Sequence, residues 1–182
     1  HSMKIGLMTA VTDSPEASFD DIVIDAQRAE AEGFSAIWMA NIFGLDAIST
    51  LSIIGRATKT IELGTAVTPT YPRHPTALAQ QALTAAVASG NRFNLGIGLS
   101  HKVVIENMFG FSYDKPAQHM REYLSVLMPL LAGDAVQFTG DHYNVNGVRL
   151  TMPGQPKVPT LIAALGPVML NLAGAMADGT IT

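Results

Sequence analysis

The sequence predicts an α/β fold with six strands in a parallel sheet, a TIM (β/α)8-type barrel being preferred over an open doubly wound sheet. Three observations carry this. Short apolar segments alternate with longer segments of helical period along the whole chain. The short segments, such as Ala36 to Ala40 (AIWMA), are apolar almost throughout, as strands of a parallel sheet covered on both faces are. No G-x-G-x-x-G follows the first strand, where "GLMTAVTDSP" stands, so the open dinucleotide-binding sheet is the less favoured of the two parallel architectures.

Each element has its own local reason. Lys4 to Met8 reads as the first strand. Ser18 caps the first helix, Asp20 and Asp21 suit its first turn, and Gly33 ends it. Within that helix Phe19, Ile22, Val23, Ala26 and Ala29 recur at helical spacing. Ala36 to Ala40 is the second strand, Asp46 to Ala57 the second helix, and Ile61 to Val67 the third strand. Pro75 opens the third helix at a position where its missing N–H costs nothing, and Ser89-Gly90 closes it. Phe93 to Ile97 is the fourth strand. Pro116 to Leu131 is the fourth helix, with Met120, Tyr123, Leu124, Leu127 and Leu131 on one side. The rhythm then breaks: 132–159 is rich in turn residues and prolines and reads as an excursion carrying a small hairpin, Val136–Phe138 against Tyr143–Val145. Thr160 to Ala164 resumes as the fifth strand, Gly166-Pro167 starts the fifth helix, and Gly179 to Thr182 begins the sixth strand.

Composition narrows the function classes. The 182 residues are 48% hydrophobic and 14% charged, which suits one well-buried domain, taken as 3–182. A net charge of -4 shows no basic footprint for nucleic acid. The absence of cysteine removes disulfides, thiolate metal sites and cysteine nucleophiles, and fits a cytoplasmic protein. No apolar run approaches the roughly 18 residues of a membrane span. His1-Ser2 before Met3 reads as an expression scar.

One long stretch is informative as a set. "ELGTAVTPTYPRHPTALAQQALTAAVASGNRFNLGIGLSH", Glu62 to His101, resembles the luciferase-like flavin and deazaflavin oxidoreductases. So do "EGFSAIWMANIFG" before it and "PTLIAALGPVMLNLAGAMADGTIT" at the end. The family's usual S-G-R is here displaced by one residue, as Ser89-Gly90-Asn91-Arg92. The resemblance implies a (β/α)8 barrel of about 250 residues, against which 182 residues look truncated, with two strands and their helices missing. It also implies an oxidoreductase that passes a hydride between coenzyme F420 and a small organic substrate, in a protein that forms a homo-oligomer. The alternatives are an FMN-dependent monooxygenase of the same family and, from another class, a non-catalytic barrel fragment serving in assembly.

In barrels of this kind the chemistry lies at the C-terminal ends of the strands, here Thr9-Ala10, Ala40-Asn41, Val67 to Thr70, Gly98 to His101 and Leu165-Gly166. Gly96 and Gly98 would let the backbone approach a flat ring, with Leu99, Ser100 and His101 beyond them. The resemblance places a non-prolyl cis peptide at Ala66 and Val67. Ala164, Leu165 and Gly166 run into a helix N-terminus suited to a phosphate. Asn41 stands where many deazaflavin members carry an Asp-His pair, and it can hydrogen-bond but cannot take a proton as they would. His101 is the titratable group nearest the strand ends and the candidate acid. Leu99 offers no charge where FMN-binding relatives place an arginine, which favours F420. His74 is expected to fix a turn, Glu106 to be structural, and His119 to lie with Arg121 and Glu122 on a solvated helix face. The histidines are too scattered for a metal cluster, and no metal is expected.

Overall fold

The structure, a computed structural model, describes residues 3–9, 16 and 18–182. Ala10 and His1-Ser2 lie outside the described residues. The elements in chain order are β1 (Gly6–Thr9), α1 (Phe19–Ala31), β2 (Ala36–Met39), α2 (Ala47–Ala57), β3 (Glu62–Thr65), β4 (Thr68–Pro69), α3 (Pro75–Ser89), β5 (Phe93–Gly98), α4 (Pro116–Leu131), β6 (Val136–Thr139), β7 (Asn144–Val148), β8 (Thr160–Ala163), α5 (Pro167–Met176) and β9 (Gly179–Ile181). A π-helical turn, Val104–Met108, lies between β5 and α4.

The main sheet runs β1-β2-β3-β5-β8-β9, with β4 beside β5, and every pairing in it is parallel. It is the six-strand parallel part of a barrel, as the alternation of apolar runs and helices predicts. Register sorts the side chains. Ile37, Leu63 and Phe93 lie abreast and are buried in one core with Leu51, Leu78 and Ala82 of the covering helices. On the other face Trp38, Gly64 and Asn94 lie abreast. The Trp38 indole lies where a Cβ at Gly64 would be, and close to that of Gly6, so these glycines make room for it. Among the described residues β1 and β9 each pair with one strand only, and Met8 on β1 is 66% exposed.

Capping follows the sequence closely. The Ser18 and Asp46 side chains accept from the backbone N–H of Asp21 and Ser49. His74 caps α3, its Nδ1 accepting from Thr76 N at 3.2 Å, and Gly90 ends that helix at φ +65°. The hairpin is present, β6 against β7.

Two expectations are corrected. The third strand is not continuous from Ile61 to Val67: it breaks after Thr65 and resumes as β4, beside Ile97 and Gly98. The face of α4 at His119 and Glu122 is not solvated. These residues are 3% and 7% exposed, because α4 is packed on a wide arc by α3, by α5 and by the β6–β7 hairpin.

Candidate functional site at the C-terminal ends of the strands

The ends of β4, β5 and β8 meet side by side. Pro69 is in register with Gly98, and Ile97 with Ile162, so Val67, Leu99-Ser100 and Ala164 to Gly166 leave neighbouring strands at one rim of the sheet. The Ala66–Val67 peptide is cis, as the resemblance implies. Both residues are half-buried.

The structure gives Gly96 and Gly98 a different reason from the expected approach of a ring. A Cβ on Gly96 would overlap the Thr65 carbonyl, and Thr65 grips the same residue through its side chain. Its Oγ1 donates to the Gly96 carbonyl at 2.8 Å and accepts from the Gly96 N–H at 3.0 Å. A Cβ on Gly98 would lie 2.7 Å from Val67 Cγ2. Both glycines therefore admit the β3–β4 segment, and the side chain of Val67 lies over Gly98.

Leu99 is half-buried against the core. Ser100 has φ +65°, and its carbonyl accepts from the Tyr113 hydroxyl at 3.3 Å. His101 is exposed, its carbonyl accepting from Ile105 N at 3.0 Å. Asn41 accepts from Ala47 N at 2.9 Å through Oδ1, so its carbonyl end caps the start of α2. The hydrogen bonds of Asn41 and His101 thus run to different elements. Ala164 is buried and its N–H reaches the Ile181 carbonyl at 3.4 Å, whereas Leu165 is 90% exposed. Gly166 caps α5, and among the described residues no side chain caps that helix start.

Arg92, the displaced arginine, is a structural clamp. Its guanidinium donates to the carbonyls of Gly55, Thr58, Ile61 and Ser89 and to Thr58 Oγ1, tying the ends of α2 and α3 to the start of β3. Glu30 does the same for the 59–61 turn: it accepts from the N–H groups of Lys59, Thr60 and Ile61. Burial would raise its pKa, but these bonds overcome that and hold it at about 2.

A second group of residues was missed from sequence. Tyr71, His74, His119, His142 and Tyr143 line a cavity of about 440 Å³ beside the rim. His119 stacks on Tyr71, with ring centroids 3.9 Å apart, and its Nε2 lies 3.1 Å from Thr70 Oγ1. Burial, helped by His142 and opposed by Glu122, lowers its pKa from 6.5 to about 4. The signal was present: His119 precedes Tyr123 by four residues and so shares its buried stripe. Glu122 accepts from the N–H groups of Asp141, His142 and Tyr143, closing the hairpin turn on α4. A larger cavity, about 720 Å³ against Leu83, Met128 and Arg149 to Val158, lies beside the start of β8. It is at the opposite end of the sheet from the candidate site. Among the described residues no helix is long and apolar enough to cross a membrane, and no group of three or more His, Asp or Glu could hold a metal ion.

A parallel sheet with its loops gathered at the strand ends is the frame of a (β/α)8-type barrel, and its relatives place it in a family. Residues 3–182 match the luciferase-like monooxygenase family, and the chain belongs to that family. It is 34% identical over 169 residues to the 5,10-methylenetetrahydromethanopterin reductase of Archaeoglobus fulgidus, covering 92% of this chain and 50% of that one. It is 30% identical over 175 residues to the F420-dependent glucose-6-phosphate dehydrogenase of Amycolatopsis mediterranei, covering 88% and 52%. The chain thus spans about half the length of these relatives. Among solved structures, an F420-dependent secondary alcohol dehydrogenase in complex with an F420-acetone adduct superposes with a TM-score of 0.86 at 22% identity, covering 99% of this chain and 58% of that one. The oxygenating constituent of 3,6-diketocamphane monooxygenase from the CAM plasmid of Pseudomonas putida, in complex with FMN, superposes with a TM-score of 0.79 at 17% identity, covering 100% and 58%. At these identities the superpositions establish a shared fold.

Proposed function

We propose that this chain serves an oxidoreductase that passes a hydride between coenzyme F420 and a small organic substrate. The observation that carries the reading is the meeting of three features on adjacent strands: Val67 over Gly98, an uncharged Leu99 beside it, and the uncapped start of α5 at Gly166. The relatives named for F420 support it.

These residues suit the group. Val67 offers an apolar surface for one face of a flat ring. The helix start after Gly166 offers backbone N–H donors and the positive end of a helix dipole to a phosphate. Ser100 adds a hydroxyl, and Leu99 gives a compact terminal phosphate no cation to pair with. When bound, the deazaflavin supplies the two-electron hydride chemistry. The chain's own part is orientation and exclusion of water. His101, exposed at the start of the 101–108 segment, would donate or accept the proton that accompanies the hydride at the substrate oxygen. Asn41 cannot do so as an amide, and its Oδ1 is bonded to Ala47. Its role would be to hold the loop after β2.

FMN is the second reading, supported by the fold shared with an FMN-bound monooxygenase. Fluorescence titration of the apoprotein, made from the whole reading frame, with both cofactors separates the two. A preference for F420 of about 1–3 kcal/mol, the scale of a few charge-assisted hydrogen bonds, is expected. Equal or tighter FMN binding would move the function to a flavin monooxygenase, and binding of neither would favour a non-catalytic role.

A further inference from the structure

Ser100 stands in the left-handed region at φ +65°, which non-glycine residues adopt infrequently. Something must hold it there. Its carbonyl accepts from the hydroxyl of Tyr113, 13 residues further along, at 3.3 Å. Tyr113 is itself fixed on two sides. Its N–H donates to Glu106 at 3.4 Å, within the π-helical turn. Its ring stacks on Tyr71 with centroids 5.4 Å apart, and Tyr71 stacks on His119 at 3.9 Å. His119 pairs with Thr70, next to β4, at 3.1 Å. A row of three rings therefore runs from α4, past the end of β4, to the hydroxyl that grips Ser100. Burial raises the pKa of Tyr113, so its oxygen stays protonated and able to donate at neutral pH.

We infer that Tyr113 is a positioning residue, whose hydroxyl, aimed by the Tyr71–His119 stack, holds Ser100 and with it His101 in place at the site. The inference rests on the reading of Ser100 and His101 as site residues. Tyr113 acts through the Ser100 backbone alone.

Tyr113→Phe, in the product of the whole reading frame, deletes one oxygen and leaves the ring row intact. Amide hydrogen exchange at residues 99–103 is expected to quicken about five-fold, the effect of losing one ordinary hydrogen bond. Exchange in the core strands should stay unchanged, and F420 affinity should fall by a similar factor. Tyr113→Leu removes the stack as well and should extend the faster exchange to residues 70–74. In a Ser100→Gly background the left-handed conformation is unstrained, so the effect of Tyr113→Phe should shrink. Unaltered exchange at 99–103 in Tyr113→Phe overturns the inference, and so does faster exchange with unchanged F420 affinity. If the unmutated protein binds no F420, the cofactor reading alone fails, and the exchange comparison with its Ser100→Gly background still decides whether Tyr113 holds the loop.

Discussion

Lowering the pH from 7 to 4.5 is expected to remove about 2 kcal/mol of stability through His119 alone. The His119 ring is 3% exposed, stacked on Tyr71 and faced by His142, Tyr143, Tyr123 and Glu122. Burial lowers its pKa from 6.5 to about 4. Above pH 6.5 the imidazole is neutral in both folded and unfolded chains, and pH has no effect through it. Between 6.5 and 4 the unfolded chain takes up a proton that the folded chain refuses, so stability falls as pH falls. The ceiling is about 1.4 kcal/mol per pH unit over that interval, or about 2.5 kcal/mol by pH 4.5. His119 lines a cavity of about 440 Å³, and with solvent screening there the expected loss is set below that ceiling, at about 2 kcal/mol. Glu30, Glu122 and Asp46, whose pKa values are all lowered in the fold, lose their contributions mainly below about pH 4.5, and comparison with a His119 variant separates its share from theirs. The assay is urea unfolding across pH 4.5–7.5, with coincident probes to establish two-state behaviour. In His119→Gln the stability difference between pH 7 and 4.5 should shrink by this amount. An identical pH dependence in wild type and variant would refute the reasoning. So would an NMR titration of the wild-type ring with its midpoint near 6.5.

Gly96→Ala drives a methyl into the Thr65 carbonyl and should destabilise by about 1–3 kcal/mol or more, read from the shift in urea midpoint. Gly174→Ala meets nothing within 4 Å on α5 and should be neutral or stabilising by up to about 1 kcal/mol; equal losses in the two would contradict the packing described. Arg92→Lys keeps the charge but cannot reach four carbonyls at once, and a loss of about 2–3 kcal/mol is expected in thermal unfolding. A melting temperature unchanged by that substitution would show that the clamp contributes nothing.

Local chemistry made most of the fold legible. Ser18, Pro75 and Gly90 mark helix ends by rules that act within a few residues, and each works as the sequence suggests, whereas Asp46, read as the first residue of its helix, and His74, read as fixing a turn, prove to be caps. What local rules miss is contact made at long range. The motif "LGIG" announces that something comes close, but only the fold shows that it is Thr65 and Val67 of the neighbouring segment. The polarity of His119 and Glu122 suggests a solvated face, whereas a hairpin some twenty residues later folds over both. The row of Tyr113, Tyr71 and His119 joins three segments whose spacing in sequence gives no period to detect.

The placement of the site is tested most directly by hydrogen exchange of the whole-reading-frame product with and without F420. Protection is expected at residues 66–70, 98–101 and 165–169, at the adjoining ends of β4, β5 and β8. None is expected at 149–158, where the larger cavity lies. Protection confined to 149–158, or no change anywhere at saturating F420, would contradict a deazaflavin site at the strand ends.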